Sequence, residues 1–341
     1  MVTSRDRVIK TLNQELVDRV PRDLWASPGI QELHGDELAE MTFRYPTDIE
    51  QPDFRYPRGD RASGSPYEVG QHSDAWECTW KVERRDAPGR PGPPPLADLA
   101  RLDGYRPPCE LLQKAKLGPV NRACAASSRF VLAWSETRPF ERLQLLRGSE
   151  AALADLASGT KPIGDLLAML HDFSCREMEL WASSDVDGVA FMDDWGSQVA
   201  LLLPTKTWRD LFKPLYREYC RILHDKDKFA FFRSDGNISA IFRDLVEIGV
   251  DAIHCRLFSM NLESLAERFR GRVTFWGEID REQVLRLGAP DDVGAAVRRV
   301  RRALDFGSGG LIAQCEWGLD VPFQNVAAMF EHWLEPVPAH V

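Results

Sequence analysis

Lys228-Phe229-Ala230-Phe231-Phe232-Arg233-Ser234-Asp235-Gly236-Asn237 opens a stretch that ends in Ile248-Gly249-Val250-Asp251-Ala252-Ile253-His254-Cys255. Residues 228–234 and 250–255 are short apolar runs bounded by Gly, Asp or Ser, the pattern of strands buried on both faces. Between them Asn237 is a helix N-cap candidate, and Leu245 and Ile248 precede Gly249, a helix-ending glycine. The unit therefore reads strand, helix, strand. Upstream, Val186-Asp187-Gly188-Val189 echoes Val250-Asp251-Ala252-Ile253, so the same helix-to-strand joint recurs. Further strands are predicted at 22–26, 46–49, 129–134, 187–193, 272–277 and 310–315, with helical patterns between most of them. Eight alternating units predict an α/β chain folded as a (β/α)8 TIM barrel. A doubly wound open sheet is the alternative. It would carry a G-x-G-x-x-G turn after an early strand, and the chain has none. Gly307-Ser308-Gly309-Gly310 comes late and leads into a strand, so it reads as a hinge or tight turn.

One domain over residues 1–341 is expected, with an N-terminal extension and a long early insertion at 51–110. The extension should hold a helix starting at Thr3 or Ser4, with Val8, Leu12 and Leu16 on one face, ended before Pro21. The insertion is rich in Pro, Gly, Arg and Asp, and its Glu77–Val82 run alternates like a strand of a hairpin. Thr207-Trp208-Arg209-Asp210 resembles a capping box opening another helix. Hydrophobic residues make up 44% and charged residues 28% of the 341, which excludes a disordered or collagen-like chain. The net charge of −9 disfavours nucleic acid as a partner. The single tight basic run, Arg298-Arg299-Val300-Arg301-Arg302, is expected to be the wet face of a helix. Seven scattered cysteines with no C-x-x-C pair argue for reduced thiols and a cytoplasmic setting. Neither a signal peptide nor a membrane span is expected.

In a TIM barrel the chemistry gathers at the C-terminal ends of the strands. Those ends read Trp25 with Ser27; Asp48; Ser135 with Glu136; Asp193 and Asp194; Arg233 with Asp235; His254, Cys255 and Arg256; Glu278 with Asp280; and Cys315 with Glu316. Ionisable groups converging in a half-buried mouth are costly unless paired or used. Several have plain structural readings: an Asp cap for Asp193-Asp194, an Arg233–Asp235 salt bridge, a buried apolar role for Cys315. His254 and Cys255 are adjacent on a strand, so one at most faces the interior. Trp76, Trp80, Trp195, Trp276 and Trp317 are core or pocket aromatics.

Thr3-Ser4-Arg5-Asp6-Arg7-Val8, Asp18-Arg19-Val20-Pro21, Met192-Asp193-Asp194-Trp195-Gly196-Ser197-Gln198, Ser234-Asp235-Gly236-Asn237-Ile238, Trp276-Gly277-Glu278-Ile279-Asp280 and Pro322-Phe323-Gln324-Asn325, with Leu203-Pro204, Trp208 and Phe212-Lys213-Pro214, together resemble the uroporphyrinogen decarboxylase superfamily across nearly the whole chain. The resemblance implies a (β/α)8 barrel and one of two chemistries. One branch decarboxylates porphyrinogen acetates without a cofactor; the other moves methyl groups between corrinoid proteins and thiols through a zinc. The decarboxylases' Arg-Gln-Ala-Gly-Arg segment is replaced here by Asp23-Leu24-Trp25-Ala26-Ser27-Pro28-Gly29, and only Thr47-Asp48-Ile49 resembles their catalytic Asp segment. Their late Asn-Leu-Gly-His-Gly stretch is Gln314-Cys315-Glu316-Trp317-Gly318. In the methyltransferases' His-x-Cys-Gly, Arg233 takes the His place and Asp235 the Cys place, with Cys315 near the last cysteine. A protonated guanidinium cannot ligate a metal, so the zinc site is expected to be degraded, with Cys315 its one remaining metal candidate and no cofactor assigned.

The expected function is enzymatic, on a small anionic substrate other than porphyrinogen. Methyl transfer with a corrinoid protein as partner is preferred, since the Asp-Asp-Trp-Gly and Ser-Asp-Gly-Asn segments look closer to that branch. Cofactor-free decarboxylation and a non-catalytic ligand-binding barrel are the alternatives. Asp194, Asp235 and Asp48 are the catalytic candidates; Arg233, Trp25, Trp195, Gln198, Trp276, Glu278 and Glu316 are the substrate-binding candidates. The family resemblance also implies a homodimer.

Overall fold

Phe130, Leu132, Ala190, Phe231, Ala252, Trp276 and Ile312, from successive strands, pack on one another in a single apolar cluster. That cluster fills the interior of a nearly closed ring of strands. In the computed structural model, residues 2–66, 68–84 and 89–335 are described. The strands are β1 (Arg22–Ala26), β2 (Ile49–Glu50), β3 (Gly70–Ser73), β4 (Thr79–Val82), β5 (Arg90–Pro91), β6 (Phe130–Trp134), β7 (Gly188–Met192), β8 (Phe229–Arg233), β9 (Ala252–His254), β10 (Thr274–Trp276) and β11 (Leu311–Trp317). Eight of them form one parallel sheet in the order β1-β11-β10-β9-β8-β7-β6-β2. The first and last meet at a seam, where the Asp48 amide donates to the Arg22 carbonyl at 2.8 Å. This is a nearly closed eight-stranded α/β barrel of the TIM type.

Alternation along the strands decides which residue sees which layer. Side chains on the other face, such as Val131, Phe191, Phe232, Ile253 and Cys315, join the larger cluster between the sheet and the surrounding helices. The glycine after the helix Ser239–Glu247 does what its position predicted: Gly249 has φ +93°, reversing the chain into β9. The N-terminal helix Ser4–Leu12 has a capping box between Thr3 and Asp6. It stops one turn earlier than its apolar spacing suggested, and Leu16 is 76% exposed.

Three sequence expectations are corrected here. The helix near Thr207 starts at Thr205 behind Pro204, without a side-chain cap. The basic run on the helix Pro290–Leu304 is not uniformly wet: Arg301 is buried, bonded to Asp305 at 3.0 Å and to the Glu335 carbonyl at 2.6 Å. The 51–110 segment holds a three-stranded antiparallel sheet, β3-β4-β5, rather than a lone hairpin. Its Trp76, Cys78, Leu96 and Tyr105 pack into the outer core cluster. Met1, Tyr67, residues 85–88 and residues 336–341 lie outside the described residues. Among the described residues no helix is long and apolar enough to cross a membrane.

Candidate active site

Successive inward positions on each strand carry the alternation up from the apolar plug to the C-terminal rim. Above Phe231 on β8 comes Arg233; above Ala252 on β9 comes His254; above Ile312 on β11 come Gln314 and Glu316. The register sets these side by side, with Arg233 opposite His254 and Trp25 opposite Glu316. The floor is aromatic. Trp25 lies edge-on to Trp134 and Trp276, with centroids 5.4 and 5.0 Å apart, and packs on the His254 ring at 4.7 Å. Both Trp25 and Trp276 donate their indole N–H to Asp23 at 2.8 Å. Burial raises the Asp23 carboxyl to about 6, against the pull of those two donors.

Arg233 sits over Trp25, its guanidinium carbon 5.6 Å from the ring. Its nearest carboxylate is Glu316, at a loose 3.7 Å, and its buried Nε has no hydrogen-bond partner. Glu316 is drawn instead to Arg281 at 3.0 Å. The Arg233–Asp235 bridge, the plain structural reading of that pair, is not formed. Asp235 pairs with Arg256, both carboxylate oxygens accepting from Nε and Nη2 of the guanidinium, its own amide donating to Asp194 at 2.9 Å. Burial would raise the Asp235 carboxyl, but the Arg256 hydrogen bond and charge hold it below the usual range. Glu278 is the opposite case: burial outweighs the attraction of Arg256 and pushes it to about 8. A carboxyl that keeps its proton at neutral pH can donate it.

Of the residues expected in the site, Trp25, Asp194, Arg233, Asp235, Trp276, Glu278 and Glu316 lie at this end of the barrel. Four do not serve as expected. Asp48 precedes β2, at the opposite end, where it accepts from Arg7 at 2.6 Å, from Arg19 at 2.6 and 2.9 Å and from the Arg22 amide at 2.8 Å. The strand starts one residue after Asp48 instead of ending at it, so this aspartate clamps the barrel floor. Trp195 is fully buried outside the ring, stacked on Phe140 at 4.2 Å and bonded to Tyr216. Gln198 is exposed on the loop beyond. Cys315 follows Gln314, so the alternation turns it outward into the helix layer, where burial raises its thiol well above the usual range.

The family resemblance puts its three zinc positions at Arg233, Asp235 and Cys315. Two of the three expected positions are a guanidinium and an outward-facing thiol, and among the described residues no group of three His, Cys, Asp or Glu is arranged to hold a metal ion. Asp23 and Gln314 were missed as site residues, and His254 was named at its strand end without a role. Counting inward positions back from Glu316 and Trp25 would have found Gln314 and Asp23, since each lies two residues earlier on its strand. A separate cleft of about 590 Å³ runs along the seam, lined by Trp25, Trp134, Leu38, Ile49 and Arg129 among others. It reaches Asp23 but not Arg233 or Glu278.

Comparison with known proteins bears on the fold. Over 98% of this chain and 98% of its own, a solved methyltransferase from Methanosarcina mazei superposes with a TM-score of 0.74 at 16% identity. A glycosylated endo-beta-1,4-xylanase from Gloeophyllum trabeum covers 95% of this chain and 99% of its own at 11% identity and a TM-score of 0.48. Xylanase 10B from Thermotoga maritima covers 97% and 98% at 11% identity and 0.44. No curated protein matches the sequence. The model of the uroporphyrinogen decarboxylase (URO-D) family matches residues 137–335, more than half of the chain and five of the eight barrel strands. The chain therefore belongs to the URO-D family.

Proposed function

We propose that this protein binds a small anion against Arg233 in the barrel mouth and moves a methyl group from it. The observation that carries the reading is the guanidinium of Arg233, which has an unused buried donor and only a distant carboxylate partner. Arginine offers a carboxylate or phosphate two parallel donors, and Trp25 gives the bound anion an aromatic floor. The full-length likeness in fold to a methyltransferase supports the group transferred. When the methyl leaves a heteroatom of the substrate, that atom keeps the bonding electron pair and takes the proton held by Glu278. The methyl is taken up by a nucleophile brought to the mouth by a partner, which the family resemblance implies to be a corrinoid protein. Asp235 and Asp194 hold Arg256 and the β8 turn in place.

A second reading, cofactor-free decarboxylation, is favoured by the same proton on Glu278, which could be delivered to the carbon that loses carbon dioxide. It no longer has Asp48 to stabilise a cation. The test is turnover of methylated and carboxylated small anions, with products followed by mass spectrometry. Demethylated product that disappears in Arg233→Met, together with a rate that falls above about pH 8 in the wild type but not in Glu278→Gln, supports the proposal. Released carbon dioxide establishes the second reading. Binding without turnover leaves a ligand-binding barrel.

A further inference from the structure

His254 and Gln314 are 4% and 1% exposed, and their ring Nε2 and amide Oε1 lie 3.1 Å apart. They reach each other across β10 above Gly277. A Cβ there would stand 2.8 Å from Gln314 Oε1, so glycine leaves the path open. Yet His254 Nδ1 and Gln314 Nε2 are buried with no partner of their own. Burial, and then the charge of Arg233, lower His254 to about 3, so its ring is neutral and has one N–H and one lone pair. If Nε2–H donates to Gln314, Nδ1 is left as an acceptor and the amide N–H as a donor. If the amide is turned the other way, Nδ1–H and the amide oxygen are left. Either way one buried donor and one buried acceptor remain unused. Buried polar groups are rarely left so.

These atoms share their floor with the anion site. His254 is paired with Arg233 in the β8–β9 register and packs on Trp25, over which Arg233 lies. A second carboxylate would supply acceptors only and leave the lone donor-seeking atom unmet. An ammonium would supply donors only, beside two guanidinium groups. A hydroxyl is the smallest group that both donates and accepts.

We propose that His254 and Gln314 form a hydroxyl subsite, so that the substrate is a small hydroxylated anion, a hydroxy acid in chemical class. The proposal rests on Arg233 as the anchor of the charge. Calorimetric titration of the intact protein with glycolate against acetate, lactate against propionate, and malate against succinate tests it, with malonamate as the amide control. The hydroxy member should bind about tenfold tighter or more, because a site built to hydrogen-bond a hydroxyl rejects the analogue without it. Gln314→Met and His254→Asn should each shrink the ratio of hydroxy to deoxy affinity towards parity. Arg233→Met should weaken both members of a pair alike. Equal binding of hydroxy and deoxy acids by the wild type overturns the proposal while leaving the anchor intact, and so does a preference that survives both substitutions. Tighter binding of malonamate than of the hydroxy acids overturns the hydroxyl in favour of an amide. If no member binds and Arg233→Met changes nothing, the anchor reading fails and this one with it. Either variant that folds carries the comparison if the other does not.

Discussion

At the residue scale, Arg233 is a charge whose geometry matters more than its sign. It ends β8 facing inward over Trp25, with Glu316 too far for a tight pair. Arg233→Lys keeps the charge but loses the parallel donors, so anion affinity should drop even so. Arg233→Met should drop it further, by about 2–5 kcal/mol, the cost of removing one member of a desolvated charge pair. Thermal midpoints of both variants should stay near the wild type, since the side chain lies at the rim. A collapse of the midpoint would mark Arg233 as a structural residue. The donor set makes a second expectation. Protein purified without chelator should hold well under one zinc per chain by elemental analysis, because Cys315 faces the helix layer and Arg233 cannot ligate. One tightly held equivalent that survives Cys315→Ala would show ligands drawn from elsewhere in the mouth.

At the element scale, the turns after β7 and β8 brace each other. The Gly196 amide donates to the Asp235 carbonyl at 3.1 Å, and the Asn237 amide to the Ser197 carbonyl at 2.8 Å. Gly236 has φ +75°, and a Cβ there would fall 2.1 Å from the Gly196 carbonyl oxygen. Any side chain must push the two turns apart, and with them Asp194 and Asp235. Gly236→Ala should therefore cost about 1–3 kcal/mol of stability and weaken anion binding with it. Chemical denaturation together with titration checks both effects. Unchanged stability would mean that the turns separate freely.

At the scale of the whole molecule, the two ends of the barrel divide their work. The C-terminal rim gathers half-paired charges, while the N-terminal end ties its charges off. Arg7 bridges Asp18 and Asp48, and Arg19 bonds Asp48 again, stitching the N-terminal segment across the β1–β2 seam. Breaking a buried pair of this kind leaves an uncompensated charge, so Asp48→Ala should lose about 3–5 kcal/mol. Burial alone would raise the Asp48 carboxyl, but the arginines hold it below its ordinary value. Its stabilisation is therefore present above the unfolded pKa of about 4 and is lost as the pH falls. Wild type and variant should differ most near neutrality and converge in acid. Denaturation curves across that range check this, and a constant difference would refute the linkage.

The strand order of this protein was legible in its sequence because each strand is a short apolar run between turn residues, and alternation of strand and helix leaves few topologies. Seven of the eight barrel strands lie where the runs predicted, while β2, expected at 46–49, is Ile49–Glu50; the chemistry-bearing rim follows from where the seven runs end. The sequence could not decide which face each residue takes when a boundary shifts by one. That is why Asp48 read as the end of a strand it precedes, and Cys315 as a ligand although it points outward. Nor could spacing show that Arg256 claims Asp235 and frees Arg233, or that His254 and Gln314 meet across a glycine. Those pairings join residues far apart in the chain, and only the closing of the sheet into a barrel sets their distances.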